Sequence, residues 1–302
     1  MKPETTTLDG LGSSTSQRSV PWYRGKRGKA RIGATLAFLV LSIGALLFLA
    51  PLLWMLSTSL KEQQNVFNPN WIPRPPAWQN YPDALRSAPF STYFKNTIII
   101  TVLATTGAVL SSSLVAYSFA RLRWPGRDVW FSIVIATMML PGIVTIIPTY
   151  ILFSKIGWVN TFRPLIVPAW LGGGSFFIFL LRQFFRSIPM ELSEAARIDG
   201  ASEIRVWWQI VMPLSGPVLT AITIFGFQGA WEDYLGPLIY LSDETKYTLQ
   251  LGLTTFKAGG GGVPQWHWMM AASLVVMLPV LILFFFGQRY FVESVTVTGI
   301  KG

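Results

Sequence analysis

Residues 194–213 read EAARIDGASEIRVWWQIVMP. Acidic, basic and small apolar residues alternate through the first turns, and Gly200 interrupts them. Long apolar segments lie on both sides. A polar helix–turn–helix between two membrane spans adds nothing to packing in lipid, so the segment reads as a handle for a partner outside the membrane.

Composition supports the membrane setting. The chain has 302 residues, 51% apolar and only 13% charged, where a soluble domain carries about a quarter charged. The apolar excess falls in blocks long enough to cross a bilayer, which takes about 20 helical residues. There is no cysteine and only one histidine, His267. That excludes disulfides and thiolate metal sites, and His267 alone makes neither a metal site nor a proton relay. Between Trp266 and Trp268, it reads as an interfacial residue.

Six spans are expected, at 35–57, 97–119, 129–152, 164–181, 216–240 and 268–288, with Asn96 as a cap for the second. With the N-terminus inside, sixteen of the 24 basic residues fall on the cytoplasmic side: Lys2, Arg18, Arg24, Lys26, Arg27, Lys29, Arg31, Arg121, Arg123, Arg127, Arg182, Arg186, Arg197, Arg205, Arg289 and Lys301. Both termini are then cytoplasmic. The net charge of +10 reflects this retention and an anionic-lipid contact, not a nucleic-acid partner. The organisation expected is a disordered basic tail at 1–33, a first span and external loop at 34–95, a core domain at 96–291 containing the loop 189–213, and a tail at 292–302. The external stretch 61–93 carries Trp71, Pro73, Pro75, Pro76, Trp78 and Tyr81, suited to extended backbone in the headgroup zone.

Within the polar loop, Pro189 suits a first helical turn, with Ser187 as a possible cap. Residues 189–198 form a first helix, and Gly200 supplies the left-handed conformation that ends it. Ser202 is placed to cap a second helix, 203–211, which Met212-Pro213 stops. Leu192, Ala195, Ala196 and Ile198 offer a small apolar surface, with Glu191, Glu194 and Asp199 beside Arg197 and Arg205. A solvated loop is the plain alternative, and the residues alone leave both readings open.

The register of this loop resembles the EAA loop of ABC importer permeases. Glu194-Ala195-Ala196, Gly200, Ile210 and Pro213 match its pattern, with Met212 in place of the usual leucine. Phe179-Leu180-Leu181-Arg182-Gln183-Phe184-Phe185, then Ile188-Pro189, is similar to the run preceding the loop in carbohydrate permeases. Gly299-Ile300-Lys301-Gly302 resembles their C-terminal signature. The likeness covers roughly 90–302 and is nearest the second, six-span permease of maltose-type systems. It implies an all-α membrane fold of the type I importer class and a heterodimer with a sister permease. It also implies two ATPase subunits and an external sugar-binding protein as partners, in a cell membrane. Glu194, Ala195, Ala196, Asp199, Gly200 and Ala201 would then form the coupling helix that docks on an ATPase. No GxxxxGK phosphate loop occurs, so no catalytic residue, metal or cofactor is expected in this chain. ATP and Mg belong to the ATPases. Gly259–Gly262 reads as a flexible external turn.

Pathway candidates come from polar or interrupted positions within spans. Burying a carboxylate at the bilayer centre costs about 2.5–3.5 kcal/mol, so Glu232 and Asp233, between Trp231 and Tyr234, should not face lipid. Glu232 lies about 24 Å along a helix from Gly216, which suggests gating or structural work near the external side. The family's usual Trp-Asn-Asp/Glu-Phe differs here at Glu232 and Tyr234. Gly172, Gly173 and Gly174 mark either exposed backbone along a path or close helix packing. Pro141 and Pro148 suggest hinges, with Thr145 and Thr149 satisfying freed carbonyls. Trp170, Trp231, Tyr150 and Gln228 are candidates for cargo contact.

Three other functions remain to be separated from a sugar permease. A permease for a peptide or other non-sugar solute shares the EAA loop. A membrane-embedded enzyme needs a reactive cluster that one histidine and no cysteine do not supply. A channel or secondary transporter would carry an internal repeat.

Overall fold

The protein, in a computed structural model, is described over residues 26–258 and 263–299, with side chains over 33–257 and 263–287. Residues 1–25 of the expected tail, the Gly259–Gly262 turn and residues 300–302 of the C-terminal signature lie outside the described residues. The described chain is all-helical, with no strand among the described residues. It divides into two compact units, one ending at Trp54 and one beginning at Met55.

Helix α1 spans Lys26–Ser59. The basic run Lys26–Arg31 therefore lies in its first turns, not in the preceding tail, since lysine, alanine and arginine all favour helix. Its apolar side chains are exposed, Phe48 at 89%, as lipid-facing surface requires. The stretch after it contains a short 3-10 turn, Gln63–Asn65, and α2, Asn80–Arg86. Buried Asn80 donates to the carbonyls of Ser59 and Lys61, both at 2.8 Å, so this loop folds back on the end of α1.

Helix α3, Phe90–Arg121, is buried at intervals from Phe90 to Arg121. It begins before the expected second span. Asn96 is inside it and caps nothing; its amide instead donates to the carbonyls of Thr245 and Tyr247 at 2.9 and 3.0 Å. Helices α4, Arg127–Thr137, and α5, Gly142–Lys155, correspond to the third expected span but bend by 98° at the break that ends on Pro141. Pro141 has no amide hydrogen and an extended ψ of 131°, so the helix cannot continue through it.

Helices α6, Arg163–Trp170, and α7, Ser175–Ser187, make the fourth segment, separated by Leu171–Gly174. Helix α8 is Met190–Ile198. Helix α9, Glu203–Val206, passes through a π turn, Trp207–Val211, into α10, Met212–Leu214. The helix therefore does not stop at Met212-Pro213; the widened turn absorbs the amide that Pro213 lacks. It bends by 86° at Ser215 into α11, Gly216–Trp231. The helix expected to run to residue 240 ends at Trp231 and restarts as α12, Leu235–Tyr240. Short α13, Leu249–Leu253, and α14, Thr255–Ala258, precede the long α15, Trp266–Gly299.

Among the described residues, four helices are long and apolar enough to cross a membrane, and the two bent pairs bring the number to as many as six. Two apolar clusters hold the second unit together. One gathers Phe90, Tyr93, Trp231, Leu249 and Phe256 at one end of α3. The other gathers Tyr117, Leu181, Phe185, Val206 and Val211 at its opposite end.

Candidate functional site

Helix α8 and the turn after it form an exposed knuckle. Pro189 stands just before the helix with extended backbone, and Ser187 does not cap it; its hydroxyl returns to the Phe184 carbonyl at 2.7 Å. At the other end Gly200 has φ +81°. Its amide donates to the Arg197 carbonyl at 3.0 Å, and that of Ala201 to the Ala196 carbonyl at 2.9 Å. These two bonds make a Schellman ending, which satisfies carbonyls that the helix leaves open. Ser202 sits at the start of α9 but makes no side-chain cap bond.

The turn divides the loop's residues by exposure. Glu194, Ala195, Asp199 and Gly200 are exposed, while Ala196 and Ala201 are partly buried against the nearby core. Leu192 is 45% exposed, Ile198 87% and Ile204 69%. An apolar patch ringed by Glu194 and Asp199 is thus presented outward. In a soluble setting such side chains are costly to leave uncovered.

Four side chains that the sequence reading did not single out for contact hold this knuckle in place. Tyr117 of α3 donates its hydroxyl to Glu203 Oε2 at 2.5 Å. Glu203 grips Arg197 through Nε at 2.7 Å and Nη2 at 3.2 Å. Arg121, one turn beyond Tyr117, donates to the Ile188 carbonyl at 2.8 Å and to Met190 Sδ at 3.2 Å. The Arg197 guanidinium holds the Glu203 carboxyl below the usual carboxylate range; the Tyr117 hydroxyl adds to this, against the opposing effect of burial. The sequence signal for this set was weak, a tyrosine and an arginine four apart at the end of an apolar helix. Nearby, buried Arg182 of α7 donates to the Phe119 carbonyl at 3.3 Å, lies 3.7 Å from the centre of the Phe131 ring and reaches exposed Asp128 at 3.4 Å.

The pathway candidates separate by environment. Trp231 is 1% exposed, stacks on Phe227 and donates its indole N–H to the Val276 carbonyl at 3.0 Å. Its ring is packed within the chain. Glu232, expected inside a helix, stands just past the end of α11, exposed, with the Gln228 amide 3.3 Å from its carboxylate. Asp233 accepts from the Gly236 amide at 3.0 Å and so holds the start of α12. Tyr234 is 40% exposed. A cavity of about 360 Å³ beside α11 and α15 is lined by Glu232, Gln250, Ser273 and Met277.

Gly173 has φ +63°, and a Cβ there would fall 2.7 Å from the Ala108 carbonyl and collide with the Ser112 hydroxyl. Gly172 and Gly174 have open space around them. Ser111 donates to the Ala169 carbonyl at 2.8 Å, the Gly174 amide donates to Ser112 at 3.3 Å, and Trp170 donates to the Leu103 carbonyl at 3.0 Å over Gly107. This break is packed on α3, with its freed groups bonded to that helix. Thr145 returns its hydroxyl to the Gly142 carbonyl at 2.8 Å, next to the Pro141 bend, and Tyr150 stacks on Tyr240. Among the described residues no His, Cys, Asp or Glu cluster is suited to a metal ion.

Comparison with known proteins places this geometry. A family model described as binding-protein-dependent transport system inner membrane component matches residues 108–297. The sn-glycerol-3-phosphate transport system permease protein of Pectobacterium atrosepticum is 34% identical over 263 residues, covering 84% of this chain and 93% of its own. The arabinooligosaccharides transport system permease protein of Halalkalibacterium halodurans is 35% identical over 211 residues, covering 70% and 74%. A crystal structure of a bacterial ABC transporter involved in the import of the acidic polysaccharide alginate superimposes with a TM-score of 0.76 at 25% identity, covering 87% of this chain and 98% of its own.

Proposed function

The chain belongs to the family of binding-protein-dependent transport system inner membrane components, and from that premise we propose that it forms half of a sugar translocation pathway driven through α8. It is an inner-membrane permease subunit of an ABC importer, working with a partner permease, ATPase subunits and an external binding protein. Its cargo is a sugar or a polyol derivative; the relatives it resembles are named for sn-glycerol-3-phosphate, arabinooligosaccharides and alginate. We propose six spans, with α4 and α5 counted as one and α11 as the fifth, entered from the cytoplasmic loop through its bend at Ser215, and both termini cytoplasmic. The chain carries no chemistry of its own; ATP and Mg are handled by the ATPases.

The observation that carries the docking assignment is the exposed patch on α8. Leu192, Ala195 and Ile198 stand outward beside Glu194, Asp199 and Gly200, and an ATPase cleft that accepts a short helix would cover them. Ala196 and Ala201 keep the knuckle close to its own core. Gln228, Glu232 and Tyr234 are proposed to line or gate the pathway. Asp233, Trp231 and Gly173 serve the scaffold that shapes it, and Pro141 with Thr145 and the open Gly172 and Gly174 mark its bends.

Glu194→Lys and Gly200→Asp test this. At normal membrane abundance each variant is expected to lose ATPase co-purification and uptake. Normal co-purification together with normal uptake in either variant would sink the docking assignment.

A further inference from the structure

Helix α8 is joined to its covalent neighbours by weak mechanical links. On one side, Ile188-Pro189 is extended chain, with ψ 132° and 136°. On the other, the path to α11 passes a π turn and then an 86° bend at Ser215. A push on α8 along either route is absorbed by backbone that bends.

The tie to α3 is of another kind. Arg121 holds the entrance of α8 at Ile188 and Met190. Tyr117 holds its exit through Glu203 and Arg197. The two α3 residues are four apart, so they project from one helix face, and both are buried, at 2% and 4% exposed. Hydrogen bonds to charged partners in such a setting are the strong ones. Helix α3 then continues unbroken to Phe90 and reaches the far cluster, where Tyr93 donates to Glu244 at 2.8 Å.

We propose that Tyr117 and Arg121 are positioning residues that clamp α8 to α3 at two points. Displacement of the coupling helix thereby enters the membrane domain through α3 and not along the covalent chain. The proposal rests on α8 being the ATPase-docking helix.

The chain has no cysteine, so labels placed at Glu191→Cys and Ser91→Cys, both exposed, report the distance from α8 to the far end of α3 by spin-label spectroscopy. The measurement uses the full importer complex in lipid vesicles, with and without ATP under conditions that block hydrolysis. With the clamp intact, the distance is expected to stay constant on ATP binding. Tyr117→Phe with Arg121→Gln should shift it by at least about 2 Å, with ATPase co-purification unchanged, while Arg121→Lys alone keeps the native behaviour. Tyr117→Phe alone removes one hydroxyl and leaves the ring in place, so it carries the test if the double variant does not fold.

A nucleotide-independent distance in the clamp variants overturns the clamp. So does loss of ATPase co-purification, which would place Tyr117 and Arg121 in docking itself. Failure of the docking assignment is read separately, as normal ATPase association together with normal uptake in Glu194→Lys.

Discussion

Gly200 and Gly173 both have positive φ, at +81° and +63°, yet they are needed for different reasons. Around Gly200 there is open space, so alanine there meets only the left-handed penalty of about 1–2 kcal/mol. At Gly173 a Cβ collides with Ser112 and crowds the Ala108 carbonyl. Gly173→Ala should therefore lower thermal stability by about 2 kcal/mol or more, since overpacking adds to strain. Gly174→Ala, with nothing nearby, should stay within about 0.5 kcal/mol. Melting of the detergent-purified complex separates them; equal losses would mean that the packing account of Gly173 is wrong. In the sequence Gly172, Gly173 and Gly174 were indistinguishable, and both the packing and the pathway readings fitted them.

At the scale of elements, the loop 188–203 depends on one carboxylate. Glu203 is titrated below the ordinary range because Arg197 and Tyr117 bind its charged form. A depressed folded value means that the stabilisation is present above the unfolded value, about 4.3, and is lost as pH falls through the folded one. Hydrogen exchange over residues 188–203, corrected for intrinsic rate, is expected to be flat from neutral pH to about 4.3 and to quicken below it. Glu203→Gln should exchange faster at neutral pH and lose that acid dependence. A native loop that exchanges no faster below about pH 4.3 than at neutral pH would remove Glu203 as its anchor. Much of this loop was legible in the sequence: the helix, expected over 189–198 and found over Met190–Ile198, the left-handed Gly200 and the restart near residue 203. The caps were not. Ser202 has the chemistry and position of a cap and Ser187 stands two residues before the cap position, but a proline and a two-bond glycine ending supply the local geometry instead.

Over the whole molecule, adjacent residues of the WEDY run divide between scaffold and path. Trp231 fills the core around Phe94 and Phe227, so Trp231→Ala should cost about 3–5 kcal/mol and lower abundance. Glu232→Ala with Gln228→Ala removes exposed polar groups at the end of α11. Uptake across a panel of labelled sugars, at matched expression, is expected to fall while the melting temperature holds. Unchanged uptake for every sugar transported by the native complex would take both residues out of the pathway.

The sequence by itself determined that this chain lives in a membrane, where its apolar blocks lie and which family the register of 194–213 resembles. Those properties are local: composition over about 20 residues or a spacing within twenty. Only the tertiary structure decided that two segments bend by 98° and 86°, that Trp231 faces inward, and that Tyr117 reaches Glu203 across 86 residues of chain. Hydropathy measures how much a segment prefers lipid and carries no direction, so it cannot tell a straight span from a broken one. Contacts between distant residues arise only when helices pack, as α6, α7 and α11 do on α3 and α11 does on α15.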